Sequence, residues 1–254
     1  MDISESVQQI HSREEIVTDL FYDIFLDRHP EVQAVFSDLE KTHAGALIPS
    51  FVRTTVQFAG LLSGRSYPDG LSIPRRAMYM ILLQEVPIKP SAITFRREAL
   101  EDTGPFDELM VPSEDWDLFL RFSRRWSFGY IDLPLSVLRL SADSIHLVHC
   151  EHDKLRRLAR LRQELELLQG DEEGVQAARR GLNVISRDLV WHYLECDQRA
   201  KAVLAALRGF SRTFSVELLL RAGAACLPQF LRQSVKRVLG GYRPPTYISR
   251  TRMG

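Results

Sequence analysis

Glu114-Asp115-Trp116-Asp117 places three carboxylates in four residues, directly behind Ser113. Two readings fit such a cluster. A carboxylate at an open site can take the proton of a reacting hydroxyl, whereas in a first helical turn it need only complement the positive end of the helix dipole. Further on, the eight residues His146 to Asp153 hold three histidines, Cys150 and two acids. On a helix, His146, His149 and Cys150 share a face and could hold zinc, but the spacing matches no closed zinc pattern and a solvated helix face explains it equally. The tail is cationic: Arg199 to Gly254 carries eleven basic residues and one acid, against 22 basic and 32 acidic residues before it. Such a split marks either a face for an anionic partner or an internal match between two halves.

These groups need elements to hold them. Ser113 is placed to cap a helix from Glu114 to about Arg125. Ahead of it, Ala77 to Leu83 reads as helical, Ser91 to Phe95 as a short strand, and Arg97 to Asp102 as a helix stopped by Gly104-Pro105. Behind it, Phe128 to Asp132 and Leu135 to Arg139 read as extended segments around Pro134. The first sixty residues read as helices: Ile16, Val17, Leu20, Phe21, Ile24 and Phe25 form one stripe at the helical period, and Pro30 opens a short helix ending near Phe36. Val52, Val56 and Ala59 carry the pattern to Leu62, and Gly64 to Gly70 is a linker. From about Ser144 onward the chain reads as helical, with an apolar stripe at Leu155, Leu158, Leu161, Leu165 and Leu168.

Composition sets outer bounds. The 254 residues balance 33 basic against 33 acidic side chains at 45% apolar content, which excludes collagen, coiled coil and wholesale disorder. No apolar run approaches the roughly 20 residues of a membrane span, and the acidic opening Met1-Asp2-Ile3-Ser4-Glu5 is no signal peptide. Cys150, Cys196 and Cys226 form no CxxC spacing, which fits a reducing, cytoplasmic setting.

Pro87-Ile88-Lys89-Pro90-Ser91-Ala92-Ile93-Thr94-Phe95-Arg96-Arg97-Glu98-Ala99-Leu100, then Gly104-Pro105-Phe106-Asp107-Glu108 and Ser113 to Arg121, closely resemble the acceptor half of family 2 glycosyltransferases. The likeness runs on through Phe128 to Leu135 and into Leu138-Arg139, covering about residues 71 to 145. It implies transfer of a sugar from a nucleotide-sugar to a glycan acceptor hydroxyl on a GT-A fold, with inversion. The family's general base, the Asp of a Glu-Asp pair at a helix start, maps onto Asp115. Glu114 is its supporting neighbour, and Trp116, Asp117 and Arg121 are placed by the same likeness at the acceptor site.

The family expects a divalent metal, Mg or Mn, held by Asp-x-Asp at the end of an upstream strand. The chain's one Asp-x-Asp, at 115 to 117, stands at the wrong spacing for that role. Ser141 replaces the histidine that often completes the metal site. The donor-binding half is thus expected to be missing, and activity to be weak or absent unless a partner protein supplies it.

The front resembles a different family. Phe21 to Phe36, with its Phe-Tyr pair and His29-Pro30-Glu31 turn, is similar to the early helices of bacterial globins. Phe36 maps to the haem-contacting Phe and His43 lies near the distal position. A haem iron needs a proximal histidine, and none occurs between His43 and His146, so haem is not expected. The alternative function is a non-catalytic helical sensor or interaction protein.

The expected fold class is α+β, predominantly helical: a globin-like fragment at 1–64, an incomplete GT-A-like α/β segment at 65–145, and a helical basic region at 146–254. In that last region Leu227, Phe230, Leu231, Val235, Val238 and Leu239 line one helix face, with Arg232, Lys236 and Arg237 largely elsewhere. Such a helix fits peripheral contact with the inner face of a membrane or an ordinary packed helix. Without stacking aromatics or a binding fold, nucleic acid is not an expected partner.

Overall fold

The computed structural model describes residues 25–43, 46–48, 56–65, 67, 70–139, 150–225 and 227. Its first correction falls at residues 30–36, where a helix was expected. A turn at His29 to Glu31, closed by the Val32 N–H donating to the His29 carbonyl at 3.0 Å, leads into strand β1, Val32–His43. Val32, Ala34, Val35 and Phe36 are all fully buried. A strand covered on both faces shows no alternation, and Val32, Val35 and Phe36 also satisfy the helical i, i+3, i+4 spacing. Periodicity alone could not separate the two.

Around β1 the described residues form a mixed sheet. Strand β5, Ser127–Arg139, pairs with it in parallel from Val32↔Ser127 to Thr42↔Arg139. The register slips around Asp38↔Pro134, where Pro134 has no N–H to give the ladder. Strand β2, Ala46–Ile48, and strand β4, Ile93–Phe95, each run antiparallel to β1, and β3, Leu71–Ile73, runs antiparallel to β5. The helices α1, Val56–Leu62, α2, Arg75–Leu82, and α3, Arg97–Thr103, lie between these strands in sequence. Gly104 ends α3 at φ +87°, a conformation that favours glycine.

The sheet core is aromatic. Phe36 meets Phe58 at 5.5 Å and Tyr130 at 5.4 Å between ring centroids, and Phe122 meets Phe95 at 5.1 Å and Phe128 at 5.2 Å. Such edge-on and tilted pairs add to the burial of the rings themselves. The front is bound into this core. Arg96 donates from Nη2 to the Leu26 carbonyl at 2.7 Å and from Nε to that of Val32 at 3.0 Å. Phe25 lies over two glycines, so that a Cβ on either Gly70 or Gly129 would stand 2.2 Å from its ring.

The chain divides into two compact units, one of residues 1–106 with 118–140 and the other of 107–117 with 141–254. In this division residues 25–62 share a unit with the strands that follow. Helix α4, Glu114–Ser123, begins in one unit and ends in the other.

The second unit is helical as expected, through α5, Cys150–Leu167, α6, Glu172–Glu195, α7, Arg199–Thr213, and α8, Val216–Ala225. Asp171 caps α6 by accepting from the Gly174 N–H at 3.0 Å. Of the leucine stripe, Leu158, Leu161 and Leu168 are buried while Leu155 stays 45% exposed. Among the described residues no helix is long and apolar enough to cross a membrane. Of the helix expected from Glu14 to Leu26 only residues 25 and 26 are described, and they are helical; the rest of it, the zinc reading of His146 and His149, and the membrane-facing stripe after Leu227 fall outside the described residues.

Because the Phe25 ring is itself buried, Gly129→Ala is expected to cost about 1–3 kcal/mol by overpacking in urea denaturation. In a Phe25→Ala background that cost should fall close to zero; equal costs in both backgrounds would separate the front from the sheet.

Candidate functional site

The acidic cluster opens α4. Its ladder begins where the Asp117 N–H donates to the Ser113 carbonyl at 3.1 Å. One face of α5 grips this first turn through residues at helical spacing. The Ser113 hydroxyl donates to the Asp153 carboxylate. The Arg157 guanidinium stands 5.1 Å from the centre of the Trp116 ring, a cation–π distance. Arg160 Nε donates to Asp117 Oδ1 at 2.6 Å, and its Nη2 lies 3.1 Å from Glu164. Asp117 and Glu164 are both buried, so Arg160 neutralises two carboxylates that burial would otherwise penalise.

The structure thus divides the expected site residues into two groups. Glu114 and Asp115 are half-buried. Asp115 Oδ1 accepts from the Trp116 N–H at 2.7 Å. Glu114 Oε2 is buried and accepts no hydrogen bond from any described residue. Trp116 and Asp117, by contrast, are only 2% and 3% exposed, and their surroundings are scaffold. Arg121 donates from Nη1 to the Thr103 carbonyl and from Nη2 to that of Pro105, each at 2.7 Å, holding the end of α3. The contacts of Trp116 and Asp117 run to α5 and those of Arg121 to the end of α3; their expected place at an acceptor site stays an expectation.

A divalent metal does not fit here. Asp117 is committed to Arg160, so Asp115-Trp116-Asp117 cannot present two oxygens to one ion. Among the described residues no three His, Cys, Asp or Glu side chains gather as a metal site. Phe36, which the globin likeness maps to the haem-contacting Phe, packs against Phe58, Phe128 and Tyr130.

The residues missed by sequence reading are Arg157 and Arg160. Both lie in a stretch dense in arginine that reads as a solvated face. The usable sign was Asp153, Arg157, Arg160 and Glu164 recurring at i, i+4, i+7 and i+11, a polar stripe on one side of a helix that also carries a leucine stripe.

A second group of titratable residues lies in the helical unit. Tyr193 donates to Glu151 Oε1 at 2.9 Å, and Lys201 Nζ stands 3.3 Å from the same oxygen. Burial pushes the Glu151 carboxyl up, but the hydrogen bonds from Tyr193 and Lys201 and the lysine charge outweigh it, and the net direction is down. Burial first, then the hydrogen bond to and charge of Glu151, push the Tyr193 phenol up to about 12.

No family model matches the chain, and neither a curated protein nor a solved structure matches it.

Arg160→Met would leave Asp117 and Glu164 buried without their cation, a change expected to cost about 3–5 kcal/mol. Adding Asp117→Asn should recover part of that loss; a loss below about 1 kcal/mol in denaturant titration would mean that the contact is not made in solution. Tyr193 sets a pH signature. Its folded pKa lies above the roughly 10 of an unfolded tyrosine, so its contribution is full below about pH 10 and falls as pH rises through about 12. Stability measured across that window should decline less steeply in Tyr193→Phe than in the parent chain, and identical slopes would contradict the assignment.

Proposed function

We propose that this chain carries the acceptor side of an inverting sugar transfer of the family 2 glycosyltransferase kind, with Asp115 as general base and Glu114 beside it. One observation carries the reading: both carboxylates sit half-buried in the first turn of α4, and one oxygen of Glu114 is buried with no donor among the described residues. A buried acceptor without a donor is costly, and a glycan hydroxyl satisfies it only when the first turn of α4 opens to admit the sugar.

The chemistry follows from that placement. An alcohol is a weak nucleophile, and transfer proceeds as its oxygen bonds to the anomeric carbon of a nucleotide-sugar while the nucleoside diphosphate leaves. The hydroxyl proton passes to the Asp115 carboxylate as the bond forms. The positive end of the α4 dipole favours negative charge where the pair stands. Trp116, Asp117 and Arg121 serve as positioning residues, because the turn bearing the pair is fixed by Arg157 and Arg160 and the α3 end by Arg121. No upstream strand ending in Asp-x-Asp stands in the sequence, so the reading includes a donor-binding half supplied by a partner protein, and only weak transfer by this chain alone.

The test is release of nucleoside diphosphate from a panel of nucleotide-sugars, with oligosaccharide acceptors and Mg or Mn present. Slow acceptor-dependent release is expected, reduced about 10²-fold or more in Asp115→Asn, with glycan binding on an array retained by that variant. Release indifferent to Asp115→Asn, or no release together with no glycan binding, would count against the reading.

A further inference from the structure

The helical unit contains a cavity of about 290 Å³ that the proposed sugar chemistry does not use. It lies between α5, α6 and α7, and its walls are Leu155, Leu158, Leu182, Leu189, Leu204 and Ala205. Leu155 and Leu204 are 45% and 46% exposed, so the apolar lining reaches the surface. The size approaches the roughly 300–1,000 Å³ of small-molecule sites.

The polar lining of this cavity holds two sets of charged groups. In one, Glu151 is satisfied by Tyr193 and Lys201. The other set is Arg162, Arg208 and Arg212, and no carboxylate among the described residues makes an ion pair with any of them. Arg208 and Arg212 are four residues apart on α7, a like-charge spacing that destabilises a helix; Arg212 Nη1 turns to the Arg208 carbonyl instead. Burial and the charges of Arg212 and Arg208 pull Arg162 below the usual arginine range. Arg162 and Arg208 are exposed and Arg212 is half-buried, so the three guanidinium groups form a solvated cationic rim beside the apolar lining, an arrangement that receives an anionic head with charge-assisted hydrogen bonds.

We infer that this cavity binds an anionic amphiphile, with the alkyl chain among Leu158, Leu182 and Leu189 and a phosphate or carboxylate head held by Arg162, Arg208 and Arg212. Charge selects this occupant over the chain's own tail: residues 228–254 carry six basic side chains and no acidic one, and the arginines repel them.

Dodecyl phosphate, titrated below its micelle concentration into the full chain by calorimetry, tests the inference. Binding at one per chain with a negative heat-capacity change is expected. It should weaken at least tenfold in the triple variant Arg162→Gln, Arg208→Gln, Arg212→Gln, and equally in Ala205→Phe, which fills the cavity and keeps the arginines. Circular dichroism and the thermal midpoint confirm that each variant is folded, and Arg208→Lys with Arg212→Lys should keep most of the affinity. Binding to phosphatidylglycerol vesicles that Ala205→Phe abolishes would make membrane lipid the source of the ligand, whereas binding of monomeric dodecyl phosphate alone would make it a soluble amphiphile. Inorganic phosphate binding as tightly as dodecyl phosphate, dodecanol binding equally to parent and triple variant, or no binding to either form of amphiphile would overturn the inference.

Discussion

Arg160 faces two buried carboxylates, Asp117 on α4 and Glu164 on its own helix, and the candidate site depends on that one cation. Without it the first turn of α4 would carry a buried, unneutralised charge next to the residues proposed to do chemistry. With it, Asp117 becomes an anchor. Asp153 below Ser113 and Arg157 above Trp116 extend the grip along the same face of α5, so three consecutive contacts fix the helix start that presents Glu114 and Asp115. A general base must stand within hydrogen-bond reach of the proton it takes, and in the proposed reading these contacts are what keep Asp115 in position.

In the other unit the governing constraint is β1. It pairs on one side with β5 in parallel and on the other with β4 and β2, and Phe36 carries the aromatic core. Arg96 and Phe25 then tie the residues before the strand to those after it. A break at the glycine-rich stretch around Gly64 to Gly70 reads as a domain linker by composition, yet Gly70 is needed for a reason of packing, since the Phe25 ring occupies the place of its Cβ.

Legibility from sequence followed the range of the interactions. Elements stopped by local signals, such as α3 at Gly104, were readable because the chemistry that ends them lies within a few residues, whereas Pro134, read as a break between two extended segments, only slips the register of one continuous β5. The fully buried strand β1 was not, because its apolar residues satisfy a helix as well and only the neighbours Ser127 to Arg139 decide the matter. The carboxylate pair was legible as a helix start. The fates of Trp116, Asp117 and Arg121 were not, because Arg157, Arg160 and the Thr103 and Pro105 carbonyls lie 16 to 43 residues away in the chain.

The central claim is that Glu114 and Asp115 face a glycan hydroxyl. A crystal structure of the chain soaked with an oligosaccharide acceptor tests it most directly. The account predicts a sugar hydroxyl within about 3 Å of an Asp115 oxygen, beside Glu114 and with Asp117 still on Arg160. An acceptor bound elsewhere, with both carboxylates contacted by protein alone, would contradict it.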